Sequence, residues 1–276
     1  MSMIDVDSPD DPRVAGYRDL KDRDLRLRRG LFVVEGRGTL RCLLEQSPFR
    51  PLSILLGEPA YRALADELAS LAPGVPVYRA PAEVLRSLAG FAIHRGCLAL
   101  VERLPDTDLD GLLDAVPAGG SRLLVMEGLT NHDNVGGLFR NALAFGVDAA
   151  VLCPRCCDPL YRKAIRTSLG GSLCVPFARA EKWPDALARL RDRGYRIVAL
   201  DPGGDADLAG ESARAAERLA VVVGTEGQGL SDAVRAQADA RVRIEMAPGV
   251  DSINVATAAA IALHQLRRPA GHAGAR

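Results

Sequence analysis

Residues 221–230 read Val-Val-Val-Gly-Thr-Glu-Gly-Gln-Gly-Leu. A β-branched apolar run has the composition of a strand buried on both faces. It stops at Gly224, where the missing β-carbon lets a backbone come close to a ligand. Residues 251–258 then read Asp-Ser-Ile-Asn-Val-Ala-Thr-Ala, a small-residue helix opened by Ser252 and Asn254, both helix-capping residue types. A strand end, a glycine-rich acidic turn and a helix start are therefore predicted to hold a small molecule. The glycines do not follow G-x-G-x-x-G, which argues against a dinucleotide-dependent oxidoreductase.

The rest of the chain alternates between strand-like and helix-like segments. Its 276 residues, 48% of them apolar, can fill the cores of two domains. Strands are predicted at 31–34, 52–56, 75–78 and 97–101, with helices at 37–44, 59–71 and 81–88, forming a small α/β layer. Residues 1–15, rich in proline and aspartate, are expected to be a disordered tail. Residues 16–103 form the first domain, 104–120 the connection, 121–268 the second domain and 269–276 a flexible tail. In the second domain, strands are predicted at 122–126, 149–152, 196–200, 219–224 and 241–244. Helices at 135–145, 161–168, 183–193, 231–236 and 254–266 complete an α/β fold whose mostly parallel sheet is covered on both faces.

Charge is balanced, with 35 basic and 35 acidic residues, so any nucleic-acid surface must be a local patch. Candidate phosphate contacts are Arg26 and Arg28 in a densely charged stretch, and Arg37 and Arg41 one helical turn apart. Arg162, Lys163 and Arg166 lie at helical spacing further on. The Arg26 and Arg28 stretch reads first as a solvated helix laced with ion pairs, and the other two groups read equally as solvated helix faces. Aromatic residues make up 4% of the chain, too few for a broad base-stacking platform. No apolar run approaches the roughly 18 residues of a membrane span. The acidic, proline-broken N-terminus lacks a secretory pattern, so a cytoplasmic protein with reduced cysteines is expected. Cys153 and Cys156 form a C-x-x-C without a second pair or a histidine at ligand spacing, so no metal is expected.

Upstream, Asn134, Gly136 and Arg140 fill the fixed positions of N-x-G-x-x-x-R. A second block comprises Gly224, Glu226, Gly227, Gly229, Leu230 and Ser231, and a third Ser252, Ile253, Asn254 and Val255. These blocks, in this order, resemble the SpoU (TrmH-like) family of RNA 2'-O-ribose methyltransferases within the SPOUT superfamily. The resemblance covers about residues 120–268 well and the preceding hundred more loosely. There, Phe32 to Arg41 resembles the start of a ribosomal-protein-like substrate-binding domain.

The resemblance implies a C-terminal trefoil knot, a homodimer, S-adenosylmethionine as cofactor and RNA as substrate. Ribosomal RNA is the first choice and transfer RNA the alternative; a catalytically silent RNA-binding or ribosome-assembly factor is the rival from a different class. It also implies that Gly224, Ile244 and Ile253 surround the cofactor, with Thr225, Gly227, Met246 and Val255 nearby. Asn134, Arg140, Glu226, Ser252 and Asn254 become the catalytic candidates. A guanidinium is a donor without acceptor capacity, so Arg140 suits phosphate binding and stabilisation of alkoxide charge. Glu226 either orients Arg140 or Asn134 or accepts a proton. Asn134 is expected at or before its helix start. The preceding His132 and Asp133 depart from the aspartate and proline of many relatives, and read as a polar loop or a substrate contact.

Overall fold

Alternating apolar strands and amphipathic helices build two separate sheets in the computed structural model, which describes residues 3–18, 30–89, 96–210 and 216–267. The chain divides into one unit of residues 1–105 with 158–174, and a second of residues 106–157 with 175–276. The first contains β1 (Met3–Asp5), a 3-10 turn (Pro12–Tyr17), β2 (Leu31–Glu35), α1 (Arg37–Glu45) and β3 (Pro51–Leu56). It continues through α2 (Glu58–Ala63), α3 (Ala65–Ala69), β4 (Val77–Arg79), α4 (Ala82–Ala89) and β5 (Cys97–Glu102). The sheet order is β1-β4-β3-β5-β2. β1, β4 and β3 run parallel, while β5 pairs antiparallel with both β3 and β2.

The expected disordered tail is instead ordered from Met3 onward. β1 extends the sheet edge along β4, and Val6, Val14 and Tyr17 are buried, with the Tyr17 hydroxyl 2.8 Å from Ser53 Oγ. Short apolar insertions among aspartates and prolines were enough, because β4 offered an unpaired edge. The single helix expected at 59–71 is two, broken at Leu64, whose φ of −122° is not helical.

The second unit begins with α5 (Leu109–Ala115), β6 (Ser121–Met126), α6 (His132–Ala144) and β7 (Ala149–Leu152). After α7 (Arg162–Thr167) and α8 (Gly171–Cys174), it resumes with β8 (Phe177–Arg179), α9 (Asp185–Asp192), β9 (Arg196–Leu200) and β10 (Ala206–Asp207). β11 (Arg218–Val223), α10 (Asp232–Arg235), β12 (Ala240–Arg243) and α11 (Val255–Gln265) complete it. All strands are parallel in the order β10-β12-β9-β11-β6-β7-β8.

The pleat sends alternate residues into two cores. Leu124, Met126, Val221 and Val223 pack with α6 and α11 on one face, whereas Leu123, Val125, Ala220 and Val222 pack with α5 and α9 on the other. Burying each of these valines contributes roughly 1.5–3 kcal/mol, so the strand leading to Gly224 is a rigid base for the turn above it. The connection expected at 104–120 is partly helical: Asp108 caps α5 by accepting from the Gly111 N–H at 2.7 Å, and Leu112 and Leu113 enter the core.

Residues 158–174 depart furthest from the expected boundaries. The Asp158 carboxylate meets Arg103 Nη1 at 2.7 Å, Arg162 faces the buried Glu35 at 3.7 Å, and Cys174 Sγ lies 2.7 Å from Cys42 Sγ. α7, expected in the second domain, is therefore built into the first unit. The partners of the 158–174 segment lie 55 to 132 positions away along the chain, beyond the reach of helical spacing. Among the described residues, no helix is long and apolar enough to cross a membrane.

Candidate cofactor and acceptor site

The glycine turn after β11 closes on itself. Thr225 N–H donates to the Gly229 carbonyl at 3.1 Å, and Gly229 N–H donates back to Thr225 O at 3.0 Å. The turn is drawn so tightly over the strand end that a β-carbon on Gly224 would stand 2.4 Å from the Gly229 carbonyl. Gly227 and Gly229, at φ of 91° and 67°, supply the left-handed backbone that the reversal needs.

A cleft of about 340 Å³ opens beside this turn, bounded also by the ends of β9 and β12 and by the approach to α11. It is lined by all seven residues expected to surround a cofactor: Gly224, Thr225, Gly227, Ile244, Met246, Ile253 and Val255. Glu226 and Ser252 line it too. Ile244, Met246, Ile253, Val255 and Ala258 give it apolar surface. Asp201 and Arg235, joined at 2.8 Å, give it a charged wall, and the Asp201 carboxylate raises the Arg235 pKa above its ordinary value.

Asn254 is the hub of the polar groups. Its amide Nδ2 donates to Asn134 Oδ1 at 2.9 Å and to Glu226 Oε1 at 2.8 Å. Its Oδ1 accepts from the N–H groups of Ala256 at 3.0 Å and Thr257 at 3.3 Å, capping α11. One side chain thus joins all three sequence blocks except Arg140. Replacing Asn254 with alanine removes the cap and both amide bonds, and should destabilise the protein by about 1–2 kcal/mol in urea unfolding. Asn254→Ser retains a capping oxygen without setting a second carboxylate against Glu226, and should recover the capping share of that loss, about 1 kcal/mol. Equal destabilisation by both variants would show that the cap contributes little.

Asn134 does not start its helix. Asn131 caps α6 by accepting from the Asp133 N–H at 2.8 Å, and Asn134 lies buried in the first turn. Arg140, further along α6, is exposed, makes no side-chain hydrogen bond or ion pair among the described residues, and does not line the cleft. Glu226 is engaged by Asn254 rather than by Arg140.

Of the cationic candidates, Arg26 and Arg28 lie outside the described residues. Arg41 is ion-paired with Glu67 and donates to Ala63 O at 3.2 Å, and Arg162 is turned toward Glu35. Arg37 is half-buried in a separate cleft of the first unit, while Lys163 and Arg166 are exposed on α7.

Glu127 went unnoticed in the sequence, although it immediately follows β6. Its buried carboxylate accepts from Trp183 Nε1, Ser231 N and Ser231 Oγ, each at 2.8 Å, and so anchors the far end of the glycine turn. Asp201 follows β9 in the same way. Carboxyl ends of parallel strands are where α/β sheets hold ligands, and that rule would have singled out both acids.

Residues 121–264 match the sequence profile of the SpoU rRNA Methylase family. An uncharacterised tRNA/rRNA methyltransferase of Mycobacterium tuberculosis is 42% identical over 280 residues, spanning 99% of this chain and 95% of the relative. The AdoMet-bound rRNA methyltransferase of Sinorhizobium meliloti has a similar fold, with a TM-score of 0.78 at 22% identity, over 96% of this chain and 97% of that one. An RNA 2'-O ribose methyltransferase structure aligns with a TM-score of 0.77 at 24% identity, over 95% of this chain and 98% of that one.

Proposed function

The chain belongs to the SpoU rRNA methylase family, and from that premise we propose that it methylates a ribose 2'-hydroxyl in RNA, with ribosomal RNA as the substrate. The cofactor is S-adenosylmethionine. The observation that carries this reading is the bonding of Asn134, Glu226 and Asn254 into one group at the lip of a glycine-walled cleft. The cleft fits the cofactor: its size is that of a small-ligand site, its walls are largely apolar, and only glycine is accommodated at its closest turn. Gly224, Thr225, Ile244, Met246, Ile253 and Val255 would hold it. When bound, S-adenosylmethionine supplies an activated methyl group on a sulfonium.

The chain's own tasks are then to align the acceptor hydroxyl and manage its proton. Glu226 has one carboxylate oxygen fixed by Asn254, leaving the other to accept the hydroxyl proton. Arg140 binds the acceptor phosphate and stabilises charge developing on the ribose oxygen. Ser252, at the cleft edge, orients the target nucleotide. The first unit is read as the RNA-binding part, with Arg37 and Arg166 among its contacts. The C-terminal stretch is read as the family's trefoil knot: β12 enters between β9 and β10, and residues on both sides of the approach to α11 line the same cleft as the glycine turn. A homodimer is part of this reading, supported by exposed Leu143 on α6 and Val250 before α11.

The test is methyl transfer from labelled S-adenosylmethionine to separate, unmodified ribosomal and transfer RNA pools. Label on ribose in the ribosomal pool is expected. Label confined to transfer RNA would change the substrate, and base-linked label would overturn ribose methylation. Cofactor binding without transfer to either pool would favour an RNA-binding factor.

A further inference from the structure

A second cleft, of about 510 Å³, lies against the glycine turn, and Thr225, Gln228, Gly229 and Arg235 line both. Its remaining wall comes from the segments after β6 and β7, including Thr130 and Arg155, and from Ser231 and Asp232 at the start of α10. The volume is in the range of small-ligand sites, roughly 300–1,000 Å³. Both acids in its lining are engaged: Glu127 accepts from Trp183 and Ser231, and Asp232 is paired with Arg235 at 2.8 Å. Arg235 is itself held by Asp201. Arg155 differs, because its exposed side chain has no hydrogen bond or ion pair among the described residues. Its Nη2 nevertheless reaches back over the cleft floor, 3.8 Å from where a Gly128 β-carbon would stand.

The segment carrying Arg155 is fixed. Arg179 Nη1 donates to the carbonyls of Cys153 at 3.1 Å and Cys156 at 2.8 Å. Gly128 N–H donates to Cys153 Sγ at 3.0 Å, Cys156 Sγ donates to Met126 O at 3.2 Å, and Cys157 N–H donates to Leu129 O at 2.8 Å. The C-x-x-C thiols therefore serve as hydrogen-bonding pins for this segment. A cation without a partner among the described residues, on a braced backbone beside the cofactor cleft, is available to an anion, and only its side chain has to be ordered.

We infer that this second cleft seats a phosphate of the acceptor RNA next to the methylated nucleotide, with Arg155 as its cation. The assignment rests on the RNA methyltransferase reading. It adds a phosphate contact in a cleft that shares the glycine turn with the cofactor cleft, leaving the acceptor hydroxyl to reach the cofactor beside Glu226.

Binding of full-length protein to transcribed ribosomal RNA, measured across a salt series, tests this with Arg155→Ala, Arg155→Lys and Arg189→Ala. Arg189 is an exposed arginine paired with Asp110, so its replacement controls for general loss of positive charge. Arg155→Ala should weaken RNA binding about tenfold and make the salt dependence shallower by about one released ion. Affinity for S-adenosylmethionine should stay unchanged, Arg155→Lys should recover most RNA affinity, and Arg189→Ala should match wild type. Wild-type RNA affinity or salt slope in Arg155→Ala would overturn the inference. So would an equal effect of Arg189→Ala, or a parallel loss of cofactor affinity. If wild type binds this RNA but transfers no methyl group, the enzymatic reading fails while the salt series still decides the role of Arg155. If wild type binds no RNA, both fall.

Discussion

Arg140→Ala is expected to lower methyl transfer at least 100-fold while leaving the fold and cofactor affinity intact. Arg140 is exposed and has no hydrogen bond or ion pair among the described residues, so removing it should change stability by less than about 0.5 kcal/mol. It lies outside the cofactor cleft, so titration with S-adenosylmethionine should give the wild-type affinity. On the proposed reading, what is lost is the cation that binds the acceptor phosphate, whose interaction strengthens as charge develops on the ribose oxygen. The defect should consequently appear in kcat as well as in KM for RNA. Arg140→Lys keeps the charge without the planar fork and should fall between the two. If Arg140→Ala retains a tenth or more of wild-type kcat, the arginine has no direct part in the reaction.

The cleft beside the glycine turn was legible in the sequence because its residues lie close to one another along the chain. Gly224 to Gly227 and Ile244 to Val255 each carry a local signature, a strand end or a helix start, and the resemblance supplied their association. The hub role of Asn254 was harder to read. Capping was foreseeable from residue type, but its amide bonds to Asn134 and Glu226 join positions 120 and 28 residues apart. Local pattern also misled where short elements draw their stability from distant partners. β1 is ordered by an open strand edge, and α7 is drawn into the first unit by buried charge pairs such as Arg162 with Glu35. Balanced composition concealed that two of the arginines proposed for RNA, Arg41 and Arg162, already have acidic partners. Arg41, held by Glu67, reads identically to Arg37 until the fold shows which of them is engaged.

Gly224→Ala should weaken cofactor binding roughly 100-fold, and the reason is steric. The φ of Gly224 lies outside the left-handed region, so alanine would be conformationally acceptable there. Its β-carbon, however, would stand 2.4 Å from both the carbonyl carbon and oxygen of Gly229, and 2.7 Å from the Leu230 nitrogen. All three are backbone atoms, which cannot rotate away as the end of a side chain could. The turn must lift, breaking the paired hydrogen bonds between Thr225 and Gly229. Overpacking together with those losses should cost about 3 kcal/mol in urea unfolding. A displacement of about 1 Å in the cleft wall should weaken S-adenosylmethionine binding roughly 100-fold. Gly227→Ala separates this effect from ordinary backbone strain. Gly227 has φ of 91° but nothing within 4 Å of its β-carbon position, so alanine there pays only for the left-handed conformation, about 1–2 kcal/mol. Calorimetric titration of both variants should show much the greater loss of cofactor affinity at position 224. Should Gly224→Ala bind the cofactor within threefold of wild type, the close approach of strand end and turn is not what shapes the cleft.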